Sequence, residues 1–431
     1  MSGPADLLGV LCAVTFGWGA WRWFRRFGEA SNPIVVIGLS AVVGPGLWML
    51  LLALLGVGWP VWLLVLPSAS ALIVGLAVPG PRLERGRTPW RWVIPAAAVA
   101  AAHAAFLAAR PASGWDFRYI WGLKAKVFAL AATNDAAWLT WPPNGWHHPA
   151  YPPLWPDLIA FGIRLGGTAQ GVAAIWDSFF VIALAAACWD NLRDARPHLR
   201  LVGAAVGACA PLVFSPEYSG YAEPAVAFLA AVALGALVRL TRGQRRDPPA
   251  LGSLAAATAG LCLVKNEGMV LALGVALAAL WFGTRRGKII AAFAFVIPTA
   301  SWQLFLAAAG IAREPRSFDP HAWLASAGDA VNWILGEALS PIPLLLLAWL
   351  LAAVALARRK GAPALVALGI WGLGVAAAYL TSMQGTAWQL STSLDRVLAV
   401  PLPAAISLAL PTQSWPCHTR ATAPGGHSDD H

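Results

Sequence analysis

Residues 34–57 run Ile34-Val-Val-Ile-Gly-Leu-Ser-Ala-Val-Val-Gly-Pro-Gly-Leu-Trp-Met-Leu-Leu-Leu-Ala-Leu-Leu-Gly-Val57. No side chain in this run is charged, and a helix of its length rises about 36 Å, enough to cross a hydrocarbon core about 30 Å thick. Apolar on every side, it has no face to turn to water, so its surroundings are protein core or lipid. Similar runs recur at 61–78, 93–109, 224–240 and 289–309. A soluble fold of this size has no core large enough for all of them. Of 431 residues, 58% are hydrophobic and only 12% charged, roughly half the charged share of a soluble domain. The chain reads as an all-α polytopic membrane protein. Many of its 24 Trp stand near the ends of apolar runs, where aromatic rings anchor at the membrane interface.

The basic residues set the threading. They cluster between apolar runs, at Arg22/Arg25/Arg26, Arg82/Arg85/Arg87/Arg91, Arg193/Arg196/Arg200, Arg239/Arg242/Arg245/Arg246, Arg285/Arg286/Lys288 and Arg358/Arg359/Lys360. Cytoplasmic loops carry such an excess. Placing every cluster inside gives about thirteen transmembrane helices and an external N-terminus. The spans fall near 4–21, 34–57, 60–79, 91–109, 171–190, 201–215, 221–239, 250–264, 268–283, 289–309, 341–357, 363–380 and 394–411. The net charge of +10 then reflects topology, and no nucleic-acid partner is expected. The first apolar run, 7–21, lacks the basic lead and small-residue exit of a cleavable signal. Cys12, Cys188, Cys209, Cys262 and Cys417 are scattered and form no metal or disulfide pattern.

Three regions follow: N-terminal scaffold helices at 1–90, a catalytic transmembrane core at 91–411, and a disordered cytoplasmic tail at 412–431. The core has long external loops at 110–170 and 310–340. Segment 153–166 is too short and Pro-rich to span, and reads as an amphipathic helix on the outer interface. Segments 250–264 and 268–283 are each short for a crossing, and read as a hairpin with Lys265-Asn266-Glu267 at its outer turn.

The distinctive polar residues fall in the external segments. Gly114-Trp-Asp-Phe-Arg-Tyr-Ile-Trp-Gly-Leu-Lys-Ala-Lys126 begins just past a span. Asp116 there is a catalytic carboxylate, an interfacial helix cap or a salt-bridge partner of Arg118. As a helix, 120–132 puts Ile120, Trp121, Val127, Phe128 and Ala131 on one face with Lys124 among them, and Lys126 roughly opposite. Such a lysine either snorkels to headgroups or serves an anion. His147 and His148 precede Tyr151-Pro152-Pro153. Adjacent histidines share no helical face, which favours a hydrogen bond to phosphate over a metal pair. Glu217 stands in a tight external turn. Glu223 opens the next span, where the helix dipole alone accommodates a carboxylate. Lys265 and Glu267 read as a surface pair or as functional charges near membrane depth. Arg396, beside Asp395, opens the last span. Together these offer one outer-facing cavity a carboxylate base, several cations, and aromatic platforms in Trp115, Tyr119 and Tyr151. A transporter would more naturally place ionisable groups at the bilayer centre.

The order Trp115-Asp116, Lys124-Ala-Lys126, His148, Tyr151-Pro-Pro-Leu, Pro156, then Gly220-Tyr-Ala-Glu223, Lys265-Asn-Glu-Gly268 and Leu394-Asp-Arg396-Val-Leu resembles the GT-C superfamily of glycosyltransferases. It looks closest to the branch of bacterial protein O-mannosyltransferases and lipid A aminoarabinose transferase, over roughly 90–411. The resemblance implies a GT-C-like fold in the bacterial inner membrane, with the active site on the periplasmic face. It also implies a polyprenyl-phosphate-linked sugar as donor, and a glycan, lipid or protein as acceptor. By similarity Asp116 is the catalytic base, with Glu217 and Glu223 as further candidate acids. Lys124, His148, Lys265 and Arg396 then meet the charge of the donor phosphate and Trp115, Tyr119 and Tyr151 stack on its sugar, while Lys126, His147 and Glu267 complete the candidate set that binds the donor's phosphate and sugar. Here the sequence reads Asp116-Phe-Arg118, not Asp-x-Asp, so no obligatory metal or other cofactor is expected. Competing expectations are a transporter or flippase of lipid-linked glycans, and an O-antigen ligase or polymerase. The latter lacks the early Asp loop.

Overall fold

The computed structural model describes residues 3–24, 32–78, 90–213, 219–241, 248–311, 342–358, 361–381 and 386–410, with scattered positions between 325 and 336. Glu217, most of the 310–340 loop and the 412–431 tail lie outside the described residues. Among the described residues the secondary structure is helical, with no strand. The helices are α1 (Pro4–Phe24), α2 (Pro33–Leu54), α3 (Val61–Ala77), α4 (Trp90–Ala109), α5 (Gly122–Ala131), α6 (Ala136–Thr140), α7 (Leu154–Arg164), α8 (Ala169–Asn191), α9 (Pro197–Val213), α10 (Glu223–Thr241), α11 (Pro248–Val264), α12 (Asn266–Phe282), α13 (Arg285–Ala308), α14 (Ile342–Arg358), α15 (Ala362–Leu380), α16 (Thr386–Ala399) and α17 (Leu402–Ala409). A π-helical turn, Phe117–Trp121, leads into α5.

Eight stretches are long and apolar enough to cross a membrane: α1, α2, α4, α8, α10, α13, α15 and the α16–α17 stretch Leu390–Ala409. The protein is thus a multi-pass helical membrane protein. Four more apolar helices, α3, α11, α12 and α14, have 17 residues each, the lower limit for a crossing.

Local chemistry sets several helix starts. Asn32 caps α2 through a bond from Ile34 N, with Pro33 in the first turn. Thr168 caps α8 and Thr284 caps α13, each accepting from a backbone N–H in the first turn. With no hydrophobic drive between helices in lipid, close packing holds them together. Gly274 of α12 shows this: a Cβ there would strike the backbone of Ala367 on α15.

Helices α8 and α10 form the centre, buried along most of their length, whereas α13 is largely exposed. Away from their arginine-bearing ends, α13 and α14 expose large apolar side chains such as Phe293, Leu304, Leu344 and Leu350, as suits helices that face lipid. Helices α1 and α8 start together, because Asp6 accepts from Thr168 Oγ1 at 2.9 Å. Helices α8 and α10 end together, where Arg239 meets Asp190 at 3.0 Å. Helix α4 runs the opposite way: Trp92, near its start, stacks on Trp189 near the end of α8. The bundle therefore has one end carrying Arg193, Arg200 and Arg239, and an opposite end where α4 finishes and α10 begins.

One expectation fails. Helix α7 does not lie on a surface: every residue from Leu154 to Gly162 is buried, among them Asp157. It packs against α1, α2, α5 and α8. Its amphipathic pattern reflects a polar pairing inside the protein, since Asp157 Oδ1 accepts from Asn134 Nδ2 at 2.8 Å.

Candidate functional site

At the end of the bundle opposite the arginines, four separate segments bring their charges together. Asp116 comes from the segment after α4, Glu223 from the first turn of α10, Lys265 and Glu267 from the break between α11 and α12, and Arg396 from α16. Arg396 Nη1 lies 3.0 Å from Asp116 Oδ2 and 3.0 Å from Glu223 Oε1. Lys265 Nζ lies 3.0 Å from the same Glu223 oxygen and 3.4 Å from Glu267 Oε1. Exposure is graded along this chain of charges. The Glu223 side chain is 1% exposed and Arg396 7%, whereas Asp116 keeps 21%. Burying ions costs several kcal/mol each unless they are paired and hydrogen-bonded. Here the cations are shared between carboxylates, which meets the pairing condition, while Glu223 Oε2 and Glu267 Oε2 are buried without a hydrogen-bond partner among the described residues.

The backbone explains each placement. Lys265 is fully extended, φ −165° and ψ 159°, so α11 stops, and its side chain reaches Glu223 where the two helices part. Arg396 is held by its own helix, donating from Nη2 to Thr392 O at 2.9 Å. Tyr221 braces the assembly. Its ring lies under the Arg396 guanidinium at 5.0 Å, and its hydroxyl accepts from Asp116 N at 3.0 Å. Burial, then the nearby Asp116 carboxylate, pushes the Tyr221 hydroxyl above its ordinary range, so it stays protonated. Gly220, before it, has φ +80° with the Phe117 ring pressed against it, a place where only glycine sits without strain. Gly220 N donates to Asp177 Oδ2 at 2.7 Å, and Gly220 O accepts from Trp155 Nε1 at 2.9 Å.

Lys124 and Lys126 take different faces of α5, as the helical period requires. Lys126 is exposed. Lys124 is 1% exposed, and its ammonium donates to His148 O at 2.6 Å and sits 5.8 Å from the Tyr151 ring centre. His148 adopts φ +47°, a conformation uncommon outside glycine, and its ring stacks on Tyr151 at 4.5 Å. Tyr151 also interacts electrostatically with Lys265, so this assembly adjoins the Asp116 network. His147 Nδ1 bonds Tyr119 O, and its ring stacks on Trp138. Trp115 and Tyr119, 52% and 45% exposed, stand 5.2 Å apart beside Asp116.

Tyr221, Asp177 and Asp157 are polar residues of this end that the sequence reading did not assign a role. Gly220-Tyr221 sits in a motif with Glu223, a signal that was present; Asp157 and Asp177 lie in helices with nothing local to mark them. Among the described residues no group of three or more His, Cys, Asp and Glu side chains converges to hold a metal ion. Set against known protein families, curated proteins and solved structures, the chain matches none of them.

Proposed function

We propose that this protein is a membrane glycosyltransferase that moves a sugar from a polyprenyl-phosphate donor to an acceptor hydroxyl or amine on the outer face of the membrane. The observation that carries the reading is the convergence of Asp116, Arg396, Glu223 and Lys265 at the arginine-poor end of the bundle. A transporter would hold such charges near helix middles. These instead lie at the start of α10 and at the break before α12.

Asp116 is the most exposed carboxylate of Arg396's two partners, with Oδ2 on Arg396, and Oδ1 bonded by no other described residue. As general base it takes the acceptor's proton while the acceptor oxygen or nitrogen bonds to the anomeric carbon. The bond from that carbon to the phosphate oxygen breaks, its electron pair leaves with polyprenyl phosphate, and one displacement inverts the configuration. Trp115 and Tyr119 offer exposed rings for the sugar or acceptor. Charge developing on the phosphate near lipid is stabilised more by a nearby cation than it would be in water.

With the basic end inside, about thirteen crossings put the N-terminus and Asp116 outside a bacterial inner membrane, and α3, α9, α11, α12 and α14 count as thin spans. The test is to incubate purified protein with a panel of polyprenyl-phosphate sugars and membrane extract as acceptor source, following donor by mass spectrometry. Consumption of one donor with release of polyprenyl phosphate is expected. Translocation of intact donor across vesicles without consumption would make it a flippase instead.

A further inference from the structure

We propose that Glu223 and Glu267 form a subsite that accepts a hydroxyl of the transferred sugar, separate from the place that takes the donor's phosphate. The proposal rests on the glycosyltransferase reading. Lys265 Nζ holds Oε1 of both carboxylates, and Arg396 adds a second bond to Oε1 of Glu223. The cations thereby fix both side chains while leaving each Oε2 unengaged. Both Oε2 atoms are buried and have no hydrogen-bond partner among the described residues. Such buried orphans are expensive.

Glu223 and Glu267 line one small cavity with Lys265, walled by Trp371, Val397 and Val400, with room for about one water molecule. The chemistry of an occupant follows. An ionised carboxylate only accepts, so the occupant must donate. Charge argues the same way: Asp116, Glu223 and Glu267 face Lys265 and Arg396, three negative groups against two positive. A phosphate oxygen offers no proton and adds like charge, so it is excluded. A single sugar hydroxyl fits both the polarity and the size, taking the place of one water.

The test measures binding to the purified full-length protein in detergent. The probes are the methyl diester of a short-chain prenyl phosphate, which carries the same single charge as the donor, and the same prenyl phosphate bearing mannose, glucose, galactose or arabinose. At least one sugar is expected to bind about tenfold tighter than the methyl diester. Glu267→Gln, at the less buried of the two positions, is expected to remove most of that gain while leaving methyl-diester binding intact. The inference is overturned if Glu267→Gln weakens both probes equally, if the gain survives it, or if no sugar adds affinity to a methyl diester that does bind. Wild-type protein that binds none of the probes would overturn the glycosyltransferase reading and this subsite with it.

Discussion

Arg396 and Asp116 stand 280 positions apart in the chain, yet Arg396 Nη1 lies 3.0 Å from Asp116 Oδ2. The contact joins the last long apolar stretch to the first segment after α4. The site therefore exists only when α16 is docked against the start of α10, where Glu223 holds the same guanidinium nitrogen. Assembly of the bundle and assembly of the site are one event.

Asp116→Asn keeps the side-chain shape and one acceptor oxygen but cannot take a proton. Loss of a positioned general base lowers turnover about 10²–10⁴-fold. Expression and melting temperature in detergent are expected to stay close to wild type, because Asp116 is the less buried of Arg396's two carboxylate partners. A well-folded Asp116→Asn protein keeping a third or more of wild-type turnover would remove the base assignment.

Arg396→Gln acts differently. It leaves Glu223, buried at 1% exposure, with Lys265 as its remaining cation. Breaking a buried pair from one side costs about 3–5 kcal/mol, so the melting midpoint should fall clearly. Arg396→Lys keeps the charge but not the planar guanidinium that reaches Asp116, Glu223 and Thr392 together. It should recover much of the stability and little of the turnover. Recovery of both by lysine would mean that only charge matters at this position.

Much of this was legible in the sequence, for a definite reason. Charge is scarce in the chain, so Asp116, Glu223, Lys265 and Arg396 stood out against apolar neighbours. The membrane constraint on backbone hydrogen bonds makes long apolar runs helical, and 34–57 became α2 with little left to chance. What was hidden depends on which helix meets which. Nothing local to Lys124 says that its ammonium is bonded to the His148 carbonyl, and nothing near Asp157 says that α7 is enclosed. An amphipathic pattern has the same period whether its polar face meets lipid headgroups or a buried asparagine. Asp177 sits mid-way through an apolar helix and finds its partner in Gly220, 43 residues on.

The threading predicts two opposite labelling results. In a background without native cysteines, Thr140→Cys, exposed at the end of α6, should react with an impermeant thiol reagent on intact cells. His198→Cys, exposed among the arginines at the start of α9, should react only after the membrane is opened. Reversed labelling would move Asp116 to the cytoplasmic side and exclude an outer-face donor.

Asp157 is enclosed in α7 with no exposure. Its Oδ1 accepts from Asn134 Nδ2, while its own Oδ2 and the Asn134 Oδ1 are both buried with no hydrogen-bond partner among the described residues. Two acceptors left over on adjacent groups are matched if Asp157 carries a proton on Oδ2, since an acid and an amide can then bond twice. Burial raises the Asp157 carboxyl well above its ordinary value of 3.8, and the Asn134 hydrogen bond lowers it by less, so folding favours the protonated form. The sign of the pH effect follows from linkage. Because the folded value exceeds the unfolded one, the stability Asp157 contributes is fully present below about pH 4 and is lost as pH rises towards and through the raised folded value. Asp157→Asn replaces the acid by an amide of the same shape that pairs with Asn134 and does not titrate. Its melting temperature should equal that of wild type at low pH and exceed it increasingly towards alkaline pH. Parallel melting curves for the two proteins across pH 4–9, measured in detergent, would show that Asp157 is ionised in the fold.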